Sequence, residues 1–249
     1  MKRDHTKTTT PQNQSKNTTP TPEKKARGQP MRQKQPFMDL GVDSWIRTFR
    51  YQPDEQQQSS HPPPSRKTEV DQLWALKPEE RALVRIVDLV PVPRWQQVYG
   101  THDYTFTGVT HKAVPTPPLI QSYLDYANRV CAEWLPPGRL FNMAFVNWYK
   151  NGSDYIGFHS DDEKQLYQNE RGETLVFSLS FGATRDFVLK PRDPDSSEAV
   201  GFKIELAHHD ALLMGGRCQK THKHALPKIT GRRAECIEQR VNITFRIFK

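Results

Sequence analysis

One helical pattern followed by six short runs of β-branched and aromatic residues narrows this chain to few architectures. From Pro118 to Leu135, Leu119/Ile120, Tyr123/Leu124, Ala127, Val130/Cys131 and Trp134/Leu135 recur at the spacing of a single helix face, and Pro136-Pro137-Gly138 ends the run. Beyond it, Phe141–Tyr149, Thr174–Phe181, Arg185–Leu189, Phe202–Leu206, Ala211–Met214 and Arg240–Phe248 read as strands punctuated by Gly and Pro. This order predicts a mainly β fold with buttressing helices, a sandwich or barrel such as a jelly roll.

The last of these strands carries the most chemical information. In Arg240-Val-Asn-Ile-Thr-Phe-Arg246, alternation puts Val241, Ile243 and Phe245 on one face and Arg240, Asn242, Thr244 and Arg246 on the other. The first face suits a core. The second fixes two cations on one rigid element, an arrangement able to hold a small dianion with one carboxylate on each guanidinium.

Length and charge set the frame. At 249 residues the chain suits one domain plus a tail, and 36 Lys+Arg against 28 Asp+Glu favour a polyanionic partner. Residues 1–36 hold nine Lys/Arg against Asp4 and Glu23 with almost no large apolar side chains, and are expected to be a disordered basic tail. A polar stretch, 52–67, with a Gln run and Pro62-Pro63-Pro64, reads as a loop. Cys131, Cys218 and Cys236 show no CxxC spacing, which argues against a disulfide framework or thiolate zinc site. No run approaches the roughly 18 apolar residues of a membrane span. The expectation is an intracellular monomer, in the nucleus and/or cytoplasm, with no membrane partner.

Metal chemistry is suggested by His159-Ser160-Asp161, whose imidazole and carboxylate can point the same way from an extended segment. A distant histidine would complete the 2-His-1-carboxylate triad used for Fe(II), leaving positions open for substrate and oxygen. His208-His209-Asp210 offers the same spacing, but it begins the apolar strand Ala211–Met214, where a histidine more often packs than ligates. The first pair follows the turn-rich Gly152–Gly157 and precedes two more carboxylates, Asp162 and Glu163. Either His222 or His224 could be the third ligand, and spacing leaves the choice open. A separate zinc site built from His208, His209, His222 and His224 is a rival that would ignore the two arginines.

Five motifs in order, Asn147-x-Tyr149, His159-Ser-Asp161-Asp162-Glu163, Ser180-Phe-Gly-Ala-x-Arg185, His224-Ala-Leu-Pro227 and Arg240-x-Asn242-x-Thr-x-Arg246, resemble the AlkB-type Fe(II)/2-oxoglutarate dioxygenases, most closely the subgroup that repairs alkylated nucleic acid. The resemblance covers about residues 90–249. It implies a double-stranded β-helix at 111–249, preceded by a nucleotide-recognition region at 37–110. It implies His159, Asp161 and His224 as iron ligands, with 2-oxoglutarate and O2 as co-substrates. Arg240 would take the remote carboxylate, with Arg246, Asn147 and Asn242 nearer the keto acid and Tyr149 assisting. The implied reaction couples decarboxylation of 2-oxoglutarate to removal of a base-attached methyl, as in 1-methyladenine or 3-methylcytosine, with release of formaldehyde.

Such a base must leave its stack, and the resemblance implies Tyr104 and Phe106 as its aromatic contacts. A carboxylate from Asp162 or Glu163 would favour a cationic methylated base. Arg185, with Arg94, Lys112 and Arg139, are candidates for phosphate contacts. Upstream of Pro93 the chain departs from the family, and Val90, Pro91, Val92 or Trp95 could supply a short wedge. Two other readings compete: an oxygenase of protein side chains with the same cofactors, and a non-catalytic jelly-roll module that binds nucleic acid.

Overall fold

The computed structural model describes residues 1, 37–52, 65–85, 88–106 and 108–249; the expected tail and most of the polar loop lie outside the described residues. In chain order the strands are β1 (Phe37–Gly41), β2 (Ser44–Arg50), β3 (Leu83–Arg85), β4 (Leu89–Pro91), β5 (Trp95–Tyr99), β6 (Tyr104–Phe106), β7 (Val109–His111) and β8 (Ala113–Val114). They continue as β9 (Met143–Tyr149), β10 (Ile156–His159), β11 (Val176–Gly182), β12 (Arg185–Pro191), β13 (Phe202–Leu206), β14 (Asp210–Gly216), β15 (His222–Leu226) and β16 (Arg240–Arg246). The helices are α1 (Arg66–Ala75), α2 (Pro118–Val130), α3 (Cys218–Thr221) and α4 (Arg232–Glu235).

A large sheet runs β1-β2-β14-β11-β16-β9-β5-β8, and a small one runs β10-β15-β12-β13. Their facing sides interlock where Ile46, Val176, Leu212 and Met214 of the large sheet meet Phe187, Leu189, Ile204 and Leu206 of the small one. This is the expected mainly β sandwich of jelly-roll type. Helix α2 covers the outer face of the large sheet, burying Ile120, Tyr123, Leu124 and Ala127 with Phe177, Phe181, Val241, Ile243 and Phe245. Each such side chain contributes about 1.5–3 kcal/mol on leaving water. The apolar face of β16 therefore packs on the helix, and its polar face is turned inward between the sheets.

Three expectations need correction. Helix α2 stops at Val130 rather than Leu135, because the chain tightens into turns closed by Ala132 N–H to Arg129 O and Trp134 N–H to Cys131 O. The polar loop ends earlier than residue 67: α1 starts at Arg66, capped by Ser65, whose Oγ accepts from Thr68 N–H. The boundary at 110/111 is not a seam, since β1, β2 and β5 complete the same sheet as β9 and β16.

Candidate metal and dicarboxylate site

β16 lies between β9 and β11, in a register that sets Asn242 opposite both Asn147 and Ser180, and Arg240 opposite Tyr149. Alternation along β9 then sends Phe145, Asn147 and Tyr149 into the same inter-sheet cavity as Arg240 and Arg246. The small sheet closes the other side. Its β10 and β15 pair His159 directly with His224, and Asp161 follows two residues after His159.

His159 Nε2 is 3.9 Å from Asp161 Oδ1, and His224 Nε2 is 3.8 Å from Asp161 Oδ2. The two rings are 4.2 Å apart between centroids. His159 Nδ1 donates to the Gly157 carbonyl at 2.9 Å, so its Nε2 lone pair is the one aimed at the cluster. Burial pushes both imidazoles toward the neutral, ligating form, His224 down to about 3. Burial opposes ionisation of Asp161, but Arg246 and the two histidines hold its carboxyl down at about 2. Asp161 Oδ2 is buried without a hydrogen-bond partner. The donor set is thus two neutral imidazoles and one carboxylate. The ligand atoms all lie within 4.8 Å of one another, near enough that one ion could be held by His159, Asp161 and His224. They fit a divalent iron with three positions left over.

His222 is not part of this cluster. Its Nδ1 meets Thr221 Oγ1 at 2.8 Å and its Nε2 donates to the Val200 carbonyl at 3.2 Å. The rival all-histidine site does not form either, because His208 and His209 gather on Glu69 instead.

Both arginines are buried beside the cavity. Arg246 Nη2 donates to Asp161 Oδ1 at 2.7 Å, leaving Nε and Nη1 without partners. Arg240 donates through Nη1 to the Ala183 and Leu206 carbonyls (3.3 and 3.2 Å) and through Nη2 to Ser180 Oγ (2.7 Å), leaving Nε unpartnered. Among the described residues no carboxylate pairs with Arg240. Burial, with Arg185 nearby, pulls its pKa down to about 10, so it stays charged at neutral pH. A buried cation with an orphan donor costs about 1–3 kcal/mol or more unless an anion arrives. Asn147 Oδ1 accepts from Arg94 Nε at 2.8 Å, which leaves its NH2 group to donate into the cavity. Tyr149 is buried in the wall, and burial keeps its phenol neutral. Asn242 also lines the cavity, but its Nδ2 donates to Ser178 Oγ and the Leu179 carbonyl, and its Oδ1 accepts from Thr244.

Phe106 lines the cavity and meets His159 edge-on at 5.3 Å, while Tyr104, expected as a second aromatic contact, is fully buried behind it with the two rings stacked 6.2 Å apart. The Tyr104 hydroxyl and Glu163 Oε2 are both buried without a well-formed hydrogen bond, and the two groups face each other. Burial and the charge of Asp161 push the Glu163 carboxyl up. The two neighbouring carboxylates therefore differ, since Asp162 turns away to pair with Arg192.

The phosphate-contact expectations for Arg185 and Arg94 are corrected. Arg185 is buried and donates to the carbonyls of Asn151, Asp154 and Pro227, so it ties loops together and cannot reach a phosphate. Arg94 is buried on Asn147 and the Tyr155 carbonyl. Lys112 pairs with Asp103, and Arg139 lies over the Tyr167 ring. Sequence reasoning missed Gln219, whose Oε1 accepts from Asp161 N–H at 2.9 Å and steadies that ligand.

A two-histidine, one-carboxylate cluster beside a buried arginine lacking an anion, Arg240, between two jelly-roll sheets, defines a class: metal-dependent proteins that hold a small dicarboxylate next to the ion. The sequence pattern of the 2OG-Fe(II) oxygenase superfamily matches residues 56–246, and the chain belongs to that superfamily. Within that superfamily, the curated proteins it resembles include AlkB-type oxygenases. It is 36% identical to the DNA oxidative demethylase ALKBH2 of Homo sapiens over 162 residues, 62% of this chain and 56% of that protein. It is 34% identical to the alpha-ketoglutarate-dependent dioxygenase alkB homolog 3 of Rattus norvegicus over 161 residues, 63% of this chain and 50% of that protein. The chain thus spans about half the length of the curated relatives it matches. Among solved structures, OsALKBH1 superposes over 85% of this chain and 99% of its own, at a TM-score of 0.46 and 16% identity.

Proposed function

We propose that this chain is an Fe(II)- and 2-oxoglutarate-dependent demethylase of alkylated bases, such as 1-methyladenine and 3-methylcytosine, in DNA or RNA. The observation that carries this reading is the buried Arg240, lacking an anion, in the same cavity as the His159–Asp161–His224 cluster. With Fe(II), 2-oxoglutarate and O2 in place, the centre supplies an oxidant able to hydroxylate a methyl group, which then leaves the base as formaldehyde. The chain's own residues do the rest. Arg240 and Arg246 neutralise a dicarboxylate, Asn147 donates to it, and Arg246 also fixes the orientation of Asp161. Phe187, Leu206 and Leu226 keep the cavity walls dry. Phe106 and the His159 ring line the cavity and offer faces for an extruded base, Tyr104 backs Phe106 from the core, and Glu163 offers a carboxylate to the cationic edge of the base.

The β3–β4 hairpin supports a nucleic-acid partner. Leu83, Leu89 and Val90 are all exposed there, an arrangement that leaves apolar side chains free to press on stacked bases. The test is to incubate the protein with Fe(II), 2-oxoglutarate and oligonucleotides bearing either lesion, single- and double-stranded, DNA and RNA, and to weigh the products. Loss of one methyl mass, abolished by His159→Ala or Asp161→Ala, is expected. Succinate release stimulated by protein substrates and not by any methylated oligonucleotide would favour the side-chain oxygenase instead.

A further inference from the structure

Apart from the metal cluster, Glu69, His208 and His209 form a second compact group of titratable side chains, with ligand-type atoms within 4.8 Å of one another. Glu69 is a buried carboxylate on α1. Its Oε1 accepts from the Tyr123 hydroxyl at 3.0 Å, and its Oε2 faces Nε2 of His209 and, at 3.2 Å, Nε2 of His208. The two imidazoles stack with centroids 3.8 Å apart.

The protonation of His208 is fixed by what it touches. Gly182 N–H donates to its Nδ1 at 3.1 Å, so Nδ1 carries the lone pair and the ring proton sits on Nε2, toward Glu69. That polarity disfavours a second metal site, because an ion on Nε2 would displace the proton and leave the ring without one. It makes a relay instead: Gly182 N–H to His208, and His208 N–H to Glu69. The next residue, His209, has a φ of 69°, a left-handed backbone that a non-glycine residue adopts at a cost of roughly 1–2 kcal/mol. Its own N–H donates to the Ser180 carbonyl at 2.7 Å.

The far ends of these bonds are the residues that seat Arg240. Ser180 Oγ, the Ala183 carbonyl and the Leu206 carbonyl accept from its guanidinium, and Gly182 lies opposite Arg240 in the β11–β16 register. We propose that Glu69 is a positioning residue for co-substrate binding: through His208 and His209 it fixes the 180–183 segment and the 206–209 turn, and so aims Arg240 at the dicarboxylate. This rests on the reading of Arg240 as the carboxylate anchor.

The test titrates 2-oxoglutarate into the full-length, Mn(II)-loaded protein by calorimetry, in wild type, Glu69→Gln and Arg240→Ala. Glutamine keeps the shape of Glu69 but replaces one of its two acceptor oxygens, so an NH2 group meets either the Tyr123 hydroxyl on one side or the two histidine N–H donors on the other. Glu69→Gln is expected to weaken 2-oxoglutarate about tenfold, a change of about 1.4 kcal/mol, with Mn(II) affinity unchanged. In succinate-release assays the same variant should raise KM by a similar factor, with kcat within about twofold. If Arg240→Ala weakens binding and Glu69→Gln does not, the relay is wrong while the anchor stands. If neither weakens it, the anchor itself is wrong. Nitrogen NMR of the wild-type protein needs no variant: a proton on His208 Nδ1 would overturn the relay, and one on Nε2 supports it.

Discussion

Replacing Arg246 by methionine should make the ligand-free protein less stable while leaving it at least as good at binding metal. Arg246 Nη2 lies 2.7 Å from Asp161 Oδ1, with both side chains almost wholly buried. Removing one partner of a buried ion pair costs about 3–5 kcal/mol, because the other charge stays behind unpaired. Burial disfavours the charged Asp161 carboxylate, yet Arg246 and the two histidines hold its carboxyl at about 2 against an ordinary 3.8, a depression of the same order, roughly 2 kcal/mol. At about 2–4 °C per kcal/mol for a domain this size, the ligand-free Tm should fall by on the order of 10 °C. Methionine preserves contact with the Tyr104 and Phe145 rings, over which the guanidinium now lies at 5.2 and 5.5 Å, so the loss reports charge more than packing. The sign with pH is defined. A depressed carboxyl stabilises fully above 3.8 and loses that contribution as pH falls through about 2, so the variant should lack this acid limb. A divalent ion supplies Asp161 with the cation it has lost. Mn(II) should therefore raise the Tm of the variant more than that of wild type, measured by calorimetry with and without metal. An unchanged ligand-free Tm, or an equal metal increment in both proteins, would refute the reasoning.

Three further outcomes follow from the geometry. His224→Ala should lower Mn(II) affinity at least a hundredfold, whereas His222→Ala should leave it within about threefold, because both nitrogens of His222 are already engaged outside the cluster; titration calorimetry separates them. Tyr104→Phe should leave ligand-free stability unchanged or raise it by up to about 1 kcal/mol in urea unfolding, since it deletes a buried hydroxyl without a well-formed hydrogen bond; a loss above about 1 kcal/mol would contradict this. Glu163 has a raised carboxyl, so its ionised form burdens the folded state at neutral pH and the burden lifts as pH falls through the raised pKa. Glu163→Gln should accordingly stabilise the ligand-free protein slightly at pH 7, and remove the acid limb of activity on cationic bases in a pH–rate profile.

The alternation of β16 was readable because a strand's period of two needs no partner to express it: the Val241/Ile243/Phe245 face had to be core, and the Arg240/Asn242/Arg246 face had to look elsewhere. The choice between His222 and His224 was not readable. Both share one face of β15 and both are buried; the register with β10 sets His224 beside His159, while the distant Val200 carbonyl takes His222. Helix α1 escaped notice because a Pro- and Gln-rich stretch precedes it and its buried face includes a glutamate, whose histidine partners lie about 140 residues away. Arg185 shows the limit most plainly. A charged residue opening a strand reads as surface on statistical grounds, yet three carbonyls from separate segments converge on it. Arg240 is held by carbonyls in the same way. Two buried arginines in one fold thus look alike in sequence, and what separates them is where the guanidinium sits. Arg240 lines the inter-sheet cavity with a buried, unpartnered Nε, and Arg185 sits among loop carbonyls outside it. Backbone carbonyls have no sequence identity, so only the fold can tell an arginine that locks loops from one that waits for an anion.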